Sequence, residues 1–112
     1  MKAIRIVPGE HGGRPVVHQL PDPRPAAGQV LVRVHAAGIN FPDVLMAAGE
    51  YQLKPPLPFT PGVEAAGDVI EVNEAAGVAV GDRVIVKMRH GAYADEAVVT
   101  PSQLTPLPST FD

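Results

Sequence analysis

A mainly β domain with one short helix is the fold class that this sequence predicts, and three observations predict it. The 112 residues include 13 prolines and 11 glycines. These fall in clusters between apolar runs, as rigid turns between many short strands do in a barrel or sandwich. The stretch from Gln29 to Ala36 alternates with a period of two and is rich in valine, the pattern of a half-buried strand. Near residues 40–48, Phe41, Val44, Leu45 and Ala48 share one face of a helix.

The elements follow in order along the chain. Lys2 to Val7 reads as a strand closed by Pro8-Gly9, and Val16 to Leu20 as its hairpin partner across a polar turn from Glu10 to Arg14 that holds Gly12-Gly13. Pro21 to Pro25 is a stiff connector, and Gly28-Gln29 opens the strongest strand. There Val30, Val32, Val34 and Ala36 face one way, and Gln29, Leu31, Arg33 and His35 the other. The helix has Asn40 where an N-cap belongs, Pro42 in its first turn and Gly49 at its C-terminal stop. Glu50 to Pro61 is a proline-rich loop. Strands resume at Ala65 to Val72 and Arg83 to Lys87, with Gly81-Asp82 as the turn before the latter. A last strand is expected from Gly91 to Val99, after which Pro101, Pro106 and Pro108 break up the tail.

Composition narrows the function. With 46% apolar residues, the chain can bury a core and is not disordered as a whole. A net charge of -3 leaves no basic excess for nucleic acid or an anionic membrane surface. No cysteine is present, so there is no disulfide, thiolate nucleophile or Cys-based zinc site. This suits the cytoplasm. Arg5 interrupts any apolar leader, so no secretory signal is expected. No apolar run approaches the roughly 18 residues that a membrane helix needs.

Three segments carry a family resemblance: Ala37-Gly38-Ile39-Asn40-Phe41-Pro42-Asp43, Leu57-Pro58-Phe59-Thr60-Pro61-Gly62-Val63-Glu64-Ala65-Ala66-Gly67, and Gly81-Asp82-Arg83-Val84 followed by Gly91-Ala92-Tyr93-Ala94. In this order and spacing they resemble the N-terminal catalytic domain of the medium-chain dehydrogenase/reductase superfamily. Zinc-dependent members of that superfamily carry a cysteine where this chain has Asn40, and a histidine where it has Val63. An apolar valine offers no lone pair to a metal. The cluster of four cysteines that forms the family's structural zinc lobe is also missing. The pattern is similar to the zinc-free quinone oxidoreductase branch.

The resemblance implies a GroES-like, partly open β-barrel over residues 1–112. It also implies an incomplete catalytic domain, because no Gly-x-Gly-x-x-Gly lies between a strand and a helix and the nucleotide-binding Rossmann domain of the family is absent. NADPH is the implied cofactor, with most of its site outside this chain, no metal is implied, and the implied substrate is a quinone or enone. The isolated chain is expected to be inactive, and to self-associate or pair with a companion nucleotide-binding domain. The resemblance assigns catalytic roles to Asn40 and Tyr51, and cofactor contacts to Asn40, Phe41, Asp43, Arg89 and His90.

Each assignment has a plainer alternative. Asn40 suits a helix cap, Asp43 suits the first-turn N–H groups or the helix dipole, and Tyr51 suits loop packing. Tyr93 suits a strand core, and Glu64 a buried structural hydrogen bond. His11, His18 and His35 suit the surface or a strand face, and no two of the four histidines have zinc-site spacing. A non-catalytic binding or assembly module on the same barrel is the competing function.

Overall fold

The computed structural model describes residues 1–10, 12–50, 54–108 and 110. The elements are β1 (Lys2–Gly9), β2 (Gly12–Gln19), β3 (Gln29–Ala37), α1 (Phe41–Ala48), β4 (Glu64–Asn73), β5 (Arg83–Lys87), β6 (Glu96–Val99), a 3-10 turn (Pro101–Gln103) and β7 (Leu104–Pro106). β1 and β2 form a two-stranded antiparallel sheet, and the other strands a five-stranded sheet in the order β6-β3-β4-β5-β7. Isolated bridges at Ala3–Ala94 and Ile6–Phe59 stitch the hairpin to the larger sheet. The sheets do not close on each other, so the barrel is partly open, as expected.

Valine fills the main core. Val30, Val32, Val69, Val86 and Val99 are fully buried, and these short branched side chains pack tightly on a pleated surface. A second cluster of Ile6, Met46 and Phe59 joins the hairpin, α1 and the loop before β4. α1 has the expected ends, Asn40 as N-cap and Gly49 in the left-handed conformation at φ 75°, but not the expected packed face: Asp43 and Met46 are buried, whereas Phe41 and Val44 of the apolar stripe are exposed.

Four other local expectations need correction. Gly12 and Gly13 belong to β2, not to the turn. α1 ends directly above them: a Cβ would meet the Ala48 carbonyl oxygen at 2.6 Å from Gly12, and that of Ala47 at 2.7 Å from Gly13. Irregularities between Leu31 and Val32 and between Val34 and Ala36 break the alternation in β3. Past the second of these Ala36 is exposed and Ala37 packs on the core, and Leu31, outside the valine cluster, is buried as well. The last strand begins only at Glu96, because Gly91, Ala92 and Tyr93 give their N–H groups to Pro61 and Gly62 carbonyls. The tail is not merely broken up: Leu104–Pro106 pairs with β5 at the sheet edge, where proline's missing N–H is tolerated.

Candidate functional site

The site builds up from the chain reversal between β3 and α1. β3 ends at Ala37, Gly38 follows, and Asn40 in extended conformation (φ −127°, ψ 158°) starts the helix. One arm of a capping box forms with Asp43: the Asn40 N–H donates to Asp43 Oδ2 at 2.8 Å. The Asn40 side chain makes no comparable cap bond. Its Nδ2 donates instead to Glu64 Oε1 at 3.3 Å. Asn40 therefore caps largely through its backbone, and its carboxamide is directed at the start of β4.

Asp43 is the buried acid of this corner, with 4% exposure. Oδ2 also accepts from the Tyr93 hydroxyl at 2.8 Å, and Oδ1 accepts from the Gly62 N–H at 3.2 Å. The same hydroxyl lies 2.9 Å from the Gly38 carbonyl oxygen. A phenol has one proton, and the carboxylate is the stronger acceptor for it. Burial first, then the hydrogen bond to Asp43, and then the charges of Asp43 and Glu64 push the Tyr93 pKa up to about 12.

Glycine is required at two points here. Gly62 has φ 106°, and a Cβ there would meet the Tyr93 ring at 2.7 Å. A Cβ on Gly38 would run into Glu64 Oε1, so the carboxylate that holds the Asn40 amide occupies space a side chain would take. Val63, half-buried, packs on Ile6, Met46 and Phe59 and directly precedes Glu64, the partner of Asn40.

The structure thus brings Asn40, Asp43, Glu64 and Tyr93 together. Phe41 projects outward with 72% exposure, beside Ile39 at 83%. Arg89, exposed, and His90, half-buried, lie between β5 and β6. The His90 ring stands edge-on to Phe59 at 5.7 Å, and among the described residues no hydrogen bond joins Arg89 or His90 to the Asn40 corner. Tyr51 and His11 lie outside the described residues. His18 and His35 are exposed. Among the described residues no three His, Cys, Asp or Glu side chains gather as a metal site would need, and no helix is long and apolar enough to cross a membrane. Sequence reasoning missed Tyr93 and Gly62 as partners of Asp43. The one available signal was that a buried acid requires donors from outside its own helix turn.

Fold and corner together define a GroES-like domain. Residues 26–109 match the family model described as the alcohol dehydrogenase GroES-like domain, and the chain belongs to that family, within the medium-chain dehydrogenase/reductase superfamily. It is 39% identical over 114 residues to the quinone oxidoreductase-like protein 2 homolog of Nematostella vectensis, covering 98% of this chain and 31% of the relative. It is 44% identical over 93 residues to the mouse synaptic vesicle membrane protein VAT-1 homolog, covering 80% of this chain and 23% of the relative. Among solved structures, the quinone oxidoreductase of Thermus thermophilus, crystallised also with NADPH, superposes with a TM-score of 0.82 at 33% identity, over 100% of this chain and 33% of that one. The chain therefore spans a third or less of these relatives' length.

Proposed function

We propose that this chain supplies one wall of the active-site cleft in an NADPH-dependent, zinc-independent reductase of quinones or enones. The observation that carries the reading is the Asn40 corner. A neutral carboxamide stands where the zinc-dependent branch has a cysteine, and apolar Val63 stands where it has a histidine. The residues present suit a nicotinamide better than a metal, with a held amide next to an exposed aromatic and an exposed aliphatic side chain. NADPH, when bound, supplies the hydride.

The roles of this chain's own residues follow from their chemistry. Asn40 donates or accepts hydrogen bonds where the amide of the cofactor, or the substrate oxygen that gains negative charge, must be held. Phe41 and Ile39 exclude water from that face. Asp43 has its oxygens taken by protein donors and contributes through Asn40. Arg89 and His90 offer donors to substrate or phosphate from the β5–β6 connection, and Tyr51 a ring and hydroxyl.

The test uses two proteins: the purified chain, and the chain fused to the nucleotide-binding domain of a quinone oxidoreductase relative. The chain alone is expected to give no NADPH-dependent quinone reduction. The fusion is expected to turn over, to be insensitive to a zinc chelator, and to lose about tenfold or more of kcat in Asn40→Ala. Turnover by the chain alone, or an Asn40→Ala fusion as active as its parent, would contradict the reading.

A second reading, as an assembly module, draws on an open groove lined by Ile4, Val17, Val34, Ala37, Ile39 and Tyr93, in which Val17 is 70% exposed. Apolar surface of this kind favours self-association or a companion domain. Stable oligomers whose melting temperature NADPH does not raise would favour it.

A further inference from the structure

We propose that Asp43 and Tyr93 are positioning residues for Asn40, and that Glu64 sets the direction of the carboxamide they hold in place. This rests on the reading that Asn40 meets the reacting ligand, and it assigns a cause to the amide's placement.

Asp43 takes hydrogen bonds from its own helix start and from two segments that are remote in sequence. Its donors are Asn40, three residues away, Gly62, 19 away, and Tyr93, 50 away. Capping a helix needs only the first of these. The other two tie the α1 N-terminus to the turn before β4 and to the segment before β6. Asp43 is also the only buried acidic or basic side chain among the described residues, and a carboxylate kept out of water persists where donors engage both of its oxygens. The backbone of Asn40 is thereby fixed to two further walls of the barrel.

Glu64 completes the unit. With Nδ2 donating to Glu64 Oε1, Oδ1 of the carboxamide is turned away from that carboxylate. One Nδ2 hydrogen and Oδ1 remain for a ligand, so the side chain presents a donor and an acceptor in fixed orientation. Without Glu64 the amide is free to rotate between its two faces.

The test uses the isotope-labelled 112-residue chain and reads the side-chain amide resonances of Asn40. The chain has two tyrosines and no tryptophan, so in a Tyr51→Phe background tyrosinate absorbance reports Tyr93 alone. That absorbance should rise with a midpoint near 12, and the Asn40 Cγ carbon resonance, which does not depend on the exchanging amide protons, should move with the same midpoint. The charges facing the phenol are those of Asp43 and Glu64. Tyr93→Phe should abolish the alkaline step and displace the Asn40 resonances at neutral pH. Glu64→Ala should bring the two amide protons toward the shifts of a free asparagine, and Glu64→Gln, which keeps an oxygen acceptor, should restore them.

Asp43→Asn should displace the Asn40 resonances as well. Where that variant or alkaline solution unfolds the chain, the neutral-pH comparison of Tyr93→Phe with its parent decides. Asn40 resonances unchanged in folded Tyr93→Phe would overturn the proposal, as would identical spectra for Glu64→Ala and the parent. None of these readouts involves NADPH or quinone. A failure of the functional reading appears separately, as an Asn40 resonance that does not respond when NADPH is added to the fused protein.

Discussion

Two polar contacts in this molecule have the same length and opposite surroundings. The Tyr93 hydroxyl lies 2.8 Å from Asp43, and His35 Nε2 lies 2.8 Å from Asp68. Asp43 is 4% exposed, whereas the His35 and Asp68 side chains are 57% and 42% exposed. Distance alone would rank them together. Solvent separates them, because water competes for an exposed pair and screens it, while a buried acid that loses a donor has no replacement. The first contact lies beneath the candidate site; the second decorates the outer face of the sheet.

The contrast breaks most readily at its buried end. Asp43→Ala should cost about 3 kcal/mol of stability, because it removes the acceptor of the Asn40 and Gly62 N–H groups and leaves the Tyr93 hydroxyl with the Gly38 carbonyl alone. Urea denaturation followed by circular dichroism measures it, and a loss well under about 1 kcal/mol would show that the corner adapts to solvent. Tyr93→Phe keeps the ring and removes one donor, so the loss should be smaller, about 1–2 kcal/mol.

A pH series sharpens the same point. Folding raises the Tyr93 pKa from 10.0 to about 12, so the native state keeps a proton that the unfolded chain gives up first. This contribution to stability is complete below pH 10, declines as pH climbs through the window from 10 to 12, and is gone above it. Denaturation midpoints should fall between about pH 9 and about pH 11 in the parent, and by less in Tyr93→Phe. At the exposed end, Asp68→Asn should change stability by about 0.5 kcal/mol or less, and high salt should remove even that difference.

Much of the fold was legible because its signals are local. The limits of β5, the β-branched run of β3, and the Asn40, Pro42 and Gly49 punctuation of α1 are each written within a few neighbouring residues. What escaped depends on residues remote in sequence. Gly12 and Gly13 read as a turn until α1 is seen ending above them. Ala36 and Ala37 exchange environments where β3 slips register against β4 after Val34, and a bulge leaves no mark in an alternating pattern. The candidate site divides in the same way. Asn40 and Val63 stand out by the residues they replace in a family motif, and Asp43 by its helical position. Tyr93 reads as an ordinary core aromatic, since nothing near it in sequence names the carboxylate that it meets.

The account turns on whether Asp43 draws the Gly62 turn and the Asn40 backbone into one buried unit, and amide hydrogen exchange at those two N–H groups measures this most directly. The account predicts that both exchange as slowly as core amides of β4 in the parent chain, and that Tyr93→Phe accelerates both by about tenfold or more. A Gly62 amide that already exchanges at the rate of an open peptide in the parent, or that ignores the loss of the Tyr93 hydroxyl, would contradict it.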